Sequence, residues 1–245
     1  MNLNEIYKLP PTKRIYNQEP YQKTQEATVL YTEDNIAIFD KTIFYAESGG
    51  QIYDIGIING LHVTNVQKIL GEYKVVKNPK CSNVPSVKIN TRIIHTFDEK
   101  VTFSVGEKVV MQIDWERRYN IMKNHTLSHF LFYGITECFK EAGEDLFLKG
   151  CSINDTKATF SINNNIPNDI FEKIKNKVSS KIKPNGFIKM IPEPTNNEVF
   201  YWEFDGVIIP CGGTHVNNMN EISKYEIQKK SGGKGKSKIS ILLRE

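Results

Sequence analysis

Two widely separated pairs of histidine and cysteine residues constrain this sequence more than any other feature. His125 and His129 lie four positions apart in the segment Trp115–Ala142, whose pattern predicts one long helix. Side chains at that spacing project from the same face of a helix, one turn apart. Cys211 and His215 are also four positions apart, around a Gly-Gly dipeptide that predicts a loop.

Three imidazoles and one thiolate form a ligand set that suits tetrahedral zinc. Cys211 follows His129 by 82 positions, so the fold has to bring a helix and a loop together. We therefore predict one Zn²⁺ per chain, bound by His125, His129, Cys211 and His215. A zinc protease is not indicated, because its motif needs glutamate directly after the first histidine, where this chain has Thr126.

The composition predicts a soluble globular protein. Hydrophobic residues make up 39% and charged residues 24% of the 245 positions. The first residues are polar, and no run approaches the ~18 apolar residues of a membrane span. We therefore expect a cytoplasmic protein without membrane attachment. The net charge of +4 permits a polyanionic partner without requiring one. The cysteines show no disulfide pattern, and Cys138 is expected to be a small buried residue.

Residues 1–114 are predicted to form a small β-barrel domain, because short β segments alternate with turns there. Asn59-Gly60 is typical of a two-residue hairpin. Residues 1–25 are polar and contain proline, and we expect them to be an irregular arm. The predicted strands are Ala27–Tyr31, Asn35–Phe39, Thr42–Tyr45, Ile55–Ile58, Leu61–Ile69, Glu72–Val76, Ser86–Phe97 and Lys108–Asp114.

Residues 115–245 are predicted to form an α+β domain with helices on a mainly antiparallel sheet. A second helix is expected to begin at Pro167, with a core-facing apolar residue every four positions from Ile170 to Ile182. Pro184-Asn185-Gly186 should end that helix. The predicted strands are Lys157–Ile162, Phe187–Ile191, Val199–Phe204, Tyr225–Lys229 and Ile239–Leu243.

Three sequence blocks resemble a known family. They are Phe44-Tyr45-Ala46-Glu47-Ser48-Gly49-Gly50-Gln51, Asn124-His125-Thr126-Leu127-Ser128-His129 and Cys211-Gly212-Gly213-Thr214-His215-Val216. In this order they resemble the editing domain of alanyl-tRNA synthetase and the free-standing AlaX proteins. The resemblance is to the longer AlaX type, which carries an N-terminal β-barrel.

The resemblance implies a zinc-dependent aminoacyl-tRNA hydrolase. Its substrate would be the alanine tRNA charged with a wrong amino acid, chiefly serine, with glycine as a second candidate. A pocket made for alanine cannot strongly exclude either, whereas a site that reads the serine hydroxyl can discriminate by ~10⁴–10⁵. Thr126, at a place where the family also has threonine, is predicted to make that contact. No residue stands out as a general base.

The role of the zinc stays open at this stage. Four protein ligands are typical of a structural site, whereas the matching residues of the family hold zinc in the editing pocket. Two readings reconcile these expectations: the ion expands its coordination, or it orients the terminal ribose of the tRNA.

Contacts with the tRNA are predicted in two places. The first is the glycine-rich block, since Gly-Gly lets a backbone approach a ligand closely. The second is a lysine-rich loop suited to phosphates. The residues concerned are Ser48, Gly49, Gly50, Gln51, Lys234, Lys236 and Lys238.

Two other functions compete with this one. An editing enzyme of the threonyl type would share the histidine and cysteine spacing, although the glycine-rich block favours the alanine system. A zinc-stabilised RNA-binding module without catalysis would share the ligand set. A complete synthetase is not expected, because 245 residues leave no room for a domain that uses ATP.

Overall fold

The computed structural model describes residues 1–75, 86–233 and 235–244. The chain divides into two compact units. One comprises Met1–Arg118, Ile191–Tyr201 and Pro210–Thr214, and the other comprises Tyr119–Met190, Trp202–Ile209 and His215–Glu245. Within the described residues, no helix is both long and apolar enough to cross a membrane.

Most of the first unit is built from short antiparallel strands. Six of them close into a barrel, in the order β10 (Lys108–Ile113), β2 (Thr24–Glu33), β3 (Ile36–Phe39), β9 (Arg92–Phe97), β6 (Leu61–Ile69) and β5 (Gly56–Ile58). Strand β2 buries Ala27 and Val29, alternate residues that belong to the barrel core. The strands are β1 Lys13–Arg14, β2 Thr24–Glu33, β3 Ile36–Phe39, β4 Lys41–Thr42, β5 Gly56–Ile58, β6 Leu61–Ile69, β7 Glu72–Val75, β8 Ser86–Ile89, β9 Arg92–Phe97 and β10 Lys108–Ile113.

The hairpin predicted at Asn59-Gly60 is confirmed. Ile58 pairs with Leu61 across the turn, so the loop has two residues. Both loop residues have positive φ angles, 44° and 89°. This left-handed conformation is tolerated by asparagine and suits glycine, which explains the choice of these two residues.

The expectation that residues 1–25 form an irregular arm is wrong. Helix α1 spans Leu3–Lys8, and the side chain of Asn2 caps its first turn. Ile6 is fully buried and packs in a cluster with Tyr31 and Ile38. A short 3₁₀ helix follows at Ile15–Asn17. One buried isoleucine in a polar segment is too weak a pattern to predict this helix from sequence.

Three predicted strands differ clearly from the observed ones, and one of them, Phe187–Ile191, is observed at Lys189–Glu193. Only Thr42 of the predicted strand Thr42–Tyr45 is extended and paired. The next backbone groups bond to side chains instead of a neighbouring strand. Phe44 N donates to Thr42 Oγ1 at 3.0 Å, Tyr45 N donates to Asp54 Oδ2 at 2.6 Å, and Ile43 O accepts from Arg118 Nη2 at 2.6 Å.

The predicted strand Ser86–Phe97 is two strands, β8 and β9. Asn90 separates them and has a φ of 55°, which interrupts the extended backbone. The predicted strand Glu72–Val76 is observed as far as Val75, and its last residue lies outside the described residues.

The second unit combines helices with antiparallel strands. Helix α2 spans Trp115–Ala142, as predicted, and belongs to this unit from Tyr119 onward. Helix α3 spans Asn168–Lys181. A four-stranded antiparallel sheet has the order β11 Leu148–Ile153, β12 Lys157–Ile162, β17 Lys236–Arg244, β16 Lys224–Gly233. Strands β13 Lys189–Glu193, β14 Asn196–Phe204 and β15 Val207–Pro210 form a three-stranded sheet, and the residues Ile191–Tyr201 and Pro210 of these strands are assigned to the first unit.

Helices α2 and α3 pack closely at Gly134. A Cβ atom at Gly134 would lie 2.7 Å from Val178 Cγ2 and 3.1 Å from the carbonyl oxygen of Ile174. Val178 and Ile174 are fully buried, in agreement with the predicted core face of α3. Gly134 therefore lets α3 lie directly against the helix that carries the two histidines.

The prediction of a mixed α+β fold with antiparallel sheets is confirmed. The division into a domain of residues 1–114 and a domain of residues 115–245 stays a prediction. The first unit also includes Ile191–Tyr201 and Pro210–Thr214, which come from the later part of the chain.

Candidate metal centre

Helix α2 places two histidines on one buried face. His125 and His129 are 3% and 7% exposed, and their ring centroids are 5.0 Å apart. Leu127 and Phe130 are buried beside them. The His129 ring also forms a T-shaped contact with Trp202, with a centroid distance of 4.8 Å and an interplanar angle of 79°. These contacts leave each imidazole little freedom to turn.

The loop after β15 supplies the other pair. The ring centroid of His215 lies 4.2 Å from that of His125 and 4.6 Å from that of His129. The backbone N–H of Cys211 donates to Phe200 O at 2.9 Å, and Cys211 Sγ accepts a hydrogen bond from Gly213 N at 3.4 Å. A sulfur that accepts a backbone hydrogen bond is held in place at the start of the loop.

The four predicted ligands form one group. Each of His125, His129, Cys211 and His215 offers a ligand atom, and these atoms all lie within 4.8 Å of one another. His129 Nδ1 is buried without a hydrogen-bond partner among the described residues. A buried polar atom left unpaired costs about 1–3 kcal/mol, and a cation would satisfy an unprotonated nitrogen. The donor set and its spacing therefore fit a metal ion.

Burial sets the protonation of these groups. Burial lowers the pKa of His125 to about 3. The pKa values of His129 and His215 are also well below their ordinary value, because both rings are buried and lie near other histidines. Burial raises the pKa of the Cys211 thiol to about 12, although the Gly213 N–H and the charge of Lys68 oppose this shift. The histidines are therefore neutral at pH 7, as ligation requires, and the thiol would release its proton to a metal.

Thr126 lies beside this group. It is fully buried, and its Oγ1 accepts a hydrogen bond from Val216 N at 3.3 Å. The same oxygen lies 3.2 Å from Nδ1 of His215. Thr126 thus contacts the histidine that follows the Cys-Gly-Gly-Thr sequence, a contact that was not predicted.

The glycine-rich block forms a tight turn. Ser48 and Gln51 exchange backbone hydrogen bonds of 3.2 and 3.0 Å. Gly49 and Gly50, between them, have φ angles of 60° and 88°, in the left-handed region that favours glycine. Both glycines are exposed, whereas the Gln51 side chain is completely buried.

Gln51 contacts the second ligand loop. Its Nε2 donates to Thr214 Oγ1 at 3.0 Å, and its Oε1 accepts from Thr214 N at 3.0 Å. Thr214 directly precedes His215 in the chain. The sequence indicated that both segments matter, but nothing in it pairs Gln51 with Thr214, which lies 163 positions away.

The remaining predicted residues lie elsewhere in the chain. Lys236 and Lys238 are exposed on β17, and Lys234 lies outside the described residues. Cys138 is buried on α2, His95 is fully buried and His62 is exposed, as expected for residues without a metal role.

Comparisons with known proteins identify sequences similar to this chain. A family model described as tRNA synthetases class II (A) matches residues 7–117. The chain is 30% identical over 233 residues to the alanyl-tRNA editing protein AlaX-M of Pyrococcus horikoshii, a match that covers 95% of this chain and 98% of that protein.

Two longer proteins also match. The alanine–tRNA ligase of Aeropyrum pernix is 28% identical to this chain in a match that covers 88% of it. The alanine–tRNA ligase of Sulfurisphaera tokodaii is 30% identical in a match that covers 89% of it. These matches cover 24% and 25% of the ligases, so the chain spans about a quarter of each.

Proposed function

Because the chain belongs to the AlaX family of alanyl-tRNA editing proteins, we propose that it removes a wrong amino acid from the alanine tRNA by hydrolysing the ester bond. The observation that carries the proposal is the group formed by His125, His129, Cys211 and His215. The chief substrate is Ser-tRNA(Ala), and Gly-tRNA(Ala) is the second. The enzyme acts in the cytoplasm on tRNA that another protein has charged, and it uses no ATP.

The proposed cofactor is one Zn²⁺ per chain. Three neutral imidazoles and a thiolate are ligands that zinc prefers, and their close grouping supports this choice over magnesium or calcium. Bound zinc would supply Lewis-acid chemistry at the ester or hold the terminal ribose of the tRNA. Removal of the metal distinguishes these roles of zinc from a purely structural one.

Thr126 is the proposed contact for the serine side chain. A threonine hydroxyl can donate one hydrogen bond and accept two. When Nδ1 of His215 carries the ring proton, the oxygen of Thr126 accepts from that nitrogen and from Val216 N. Its own proton is then available to the substrate. An alanyl ester has no group to receive it, which gives the discrimination that editing needs.

Two surfaces are the proposed tRNA contacts. The exposed turn offers the backbone of Ser48, Gly49 and Gly50. Gln51, the next residue, holds the end of this turn in place by its contact with Thr214. The exposed amines of Lys236 and Lys238 offer positive charge to phosphates. Lys234 belongs to the same prediction, as a residue outside the described part of the chain.

The test of this function is a panel of aminoacylated tRNAs. Purified protein is incubated with seryl, glycyl and alanyl esters of the alanine tRNA and with a seryl ester of the threonine tRNA. We expect the first to disappear fastest and the alanyl ester to persist. Preference for the threonine tRNA would favour the threonyl-type alternative. Binding of tRNA without cleavage of any ester would favour a zinc-stabilised RNA-binding module.

A chelator arm of the same experiment addresses the metal. Loss of cleavage after removal of zinc, with an unchanged circular dichroism spectrum, would support a role of zinc in the pocket. Loss of the folded state together with cleavage would assign the ion to structure. Full activity without zinc would contradict the proposed zinc dependence.

A further inference from the structure

A concave surface on the four-stranded sheet of the second unit is lined by lysines. It encloses about 680 Å³, bounded by residues of β11, β12, β16 and β17. Its other lining groups are mainly serines, threonine and glycine. The five lysines are all exposed, and they are Lys149, Lys157, Lys230, Lys236 and Lys238. We call this surface the lysine cleft.

The strand pattern explains why one face of the sheet is polar. The buried residues of β12 and β17 include Ala158, Phe160, Ile239 and Ile241. Residues that alternate with them line the cleft, and they are Lys157, Thr159, Ser161, Lys238 and Ser240. A solvated polar face would need no special explanation if it mixed both signs of charge. Among the residues that line the cleft and are described, however, none carries a carboxylate.

The lysines of the cleft differ from several lysines elsewhere in this unit, which form ion pairs. Lys181 and Lys183 both pair with Asp205, at 3.2 and 2.8 Å, and Lys177 pairs with Glu141 at 2.6 Å. Across the part of the chain that the structure covers, no ion pair involves any of the five cleft lysines. Among the described residues, their charge is therefore not compensated by an ion pair.

Two of these lysines face each other directly. Lys230 on β16 is the register partner of Lys238 on β17. Like charges directly opposite each other destabilise a sheet. At the other end of the same strand pair, Lys224 faces Arg244, and there Glu226 forms an ion pair with the arginine. The cleft end has no such ion pair within the described residues, so an external anion bound there would relieve the repulsion.

We propose that the lysine cleft binds the phosphodiester backbone of the tRNA. Five amines around one concavity offer several simultaneous contacts to a polyanion, and the neighbouring hydroxyls of Ser152, Thr159 and Ser161 can donate hydrogen bonds to phosphate oxygens. The choice of tRNA as the polyanion rests on the proposed function. The proposal extends the predicted contacts at Lys236 and Lys238 to a continuous surface that also includes Lys149, Lys157 and Lys230.

The test uses the full chain and uncharged tRNA(Ala), so that it does not depend on hydrolysis. Lys157, Lys230 and Lys238 are changed together to glutamine, and the dissociation constant is measured by fluorescence anisotropy at several salt concentrations. We expect binding at low salt to weaken about tenfold or more. The slope of log Kd against log salt concentration should decrease by about 2–3, because each lost phosphate contact lowers this slope by about 0.9.

The control carries the same change of net charge outside the cleft. Lys100, Lys173 and Lys224 are exposed and do not line the cleft, and they are changed together to glutamine. This variant should bind tRNA nearly as tightly as the unchanged protein. Equal weakening in both triple variants, or in neither, would overturn the proposal. The proposal would also be overturned if the protein bound anionic phospholipid vesicles more tightly than tRNA and the cleft variant lost only vesicle binding.

Kinetics separate a failure of this proposal from a failure of the proposed function. If the unchanged protein cleaves Ser-tRNA(Ala), the cleft variant should show a raised KM and a nearly unchanged kcat, since the cleft contains none of the predicted zinc ligands. If the unchanged protein binds tRNA but cleaves no ester, and the cleft variant loses that binding, the proposed function fails while the proposed tRNA binding by the cleft stands.

Discussion

Gln51 and Thr214 are joined by two hydrogen bonds, although they lie 163 positions apart in the chain. The amide of Gln51 donates to the hydroxyl of Thr214 and accepts from its backbone N–H, each at 3.0 Å. Both residues are buried, at 0% and 1% exposure. Thr214 comes between Gly213 and His215, so this pair fixes the backbone on which a predicted zinc ligand is carried.

The change Gln51→Leu should therefore weaken metal binding. It removes both hydrogen bonds and leaves a buried N–H of Thr214 without its acceptor. Groups that orient metal ligands typically contribute roughly 10- to 100-fold to metal affinity, and we expect a loss in that range. The measurement is competition for Zn²⁺ with a chromogenic chelator.

Two comparisons separate positioning from general damage. Thr214→Ser keeps the hydroxyl and the N–H, so its zinc affinity should match that of the unchanged protein. Thermal unfolding of the metal-free variants shows whether Gln51→Leu still folds. An unchanged zinc affinity in folded Gln51→Leu would show that the pair has no role at the centre.

Direct loss of metal is expected for the ligands themselves. His125→Ala and Cys211→Ala each remove one of four donors, and metal analysis should show much less than one zinc per chain. His62→Ala and Cys138→Ala change the same residue types outside the group and should keep full stoichiometry. Full zinc content in both ligand variants would refute the assignment.

Thr126→Val tests the proposed substrate contact. Valine keeps the shape of threonine and removes the hydroxyl. We expect kcat/KM for the seryl ester to fall. The fall should correspond to about 1–3 kcal/mol of lost transition-state stabilisation, the usual cost of an unpaired buried polar group. Thr126→Ser should restore most of the rate.

The glycyl ester is the internal control for this variant, because it offers no hydroxyl to Thr126. Its cleavage should change little. Equal losses on both esters, together with a lower zinc content, would instead assign Thr126 to holding His215, which lies 3.2 Å from its hydroxyl.

Stability should depend on pH through His95. This histidine is fully buried between the rings of Phe39 and Phe44, and its Nε2 lies 2.9 Å from Thr42 Oγ1. Burial lowers its pKa from 6.5 to about 3. Between those values the unfolded chain binds a proton at His95 and the folded protein does not, so stability falls as the pH falls.

His95→Phe should remove this contribution. Below pH 6.5, the free energy of unfolding of the unchanged protein should fall more steeply than that of the variant, by about 1.4 kcal/mol per pH unit. Above pH 6.5 the two curves should run parallel. Urea denaturation from pH 7.5 to 4.5 measures this difference. Parallel curves over the whole range would contradict the depressed pKa of His95.

Much of the site could be predicted from local sequence, because its ligands come as two short motifs. The spacing of His125 and His129 suits one face of a helix, and helix α2 has the predicted bounds. Cys211 and His215 bracket glycines, which indicates a loop. The chemistry of the donors then led to zinc. Each of these inferences needs only neighbouring residues.

The parts that were missed depend on contacts between distant residues. The partner of Gln51 is set by the way the chain folds, which periodicity does not encode. Helix α1 has one buried residue, Ile6, in a polar segment. The segment after Thr42 is rich in apolar residues, but its backbone groups form hydrogen bonds with the side chains of Asp54 and Arg118 rather than with a neighbouring strand. Strand propensity alone could not distinguish these cases.

The central claim is that this chain removes serine from the alanine tRNA and spares the correct ester. The most direct measurement is kcat/KM for Ser-tRNA(Ala) and Ala-tRNA(Ala), determined side by side with the same zinc-loaded protein. We predict a preference for the seryl ester of about 100-fold or more, because a site that reads a hydroxyl rejects the analogue lacking it. Equal rates on the two esters, or cleavage of neither, would contradict the account.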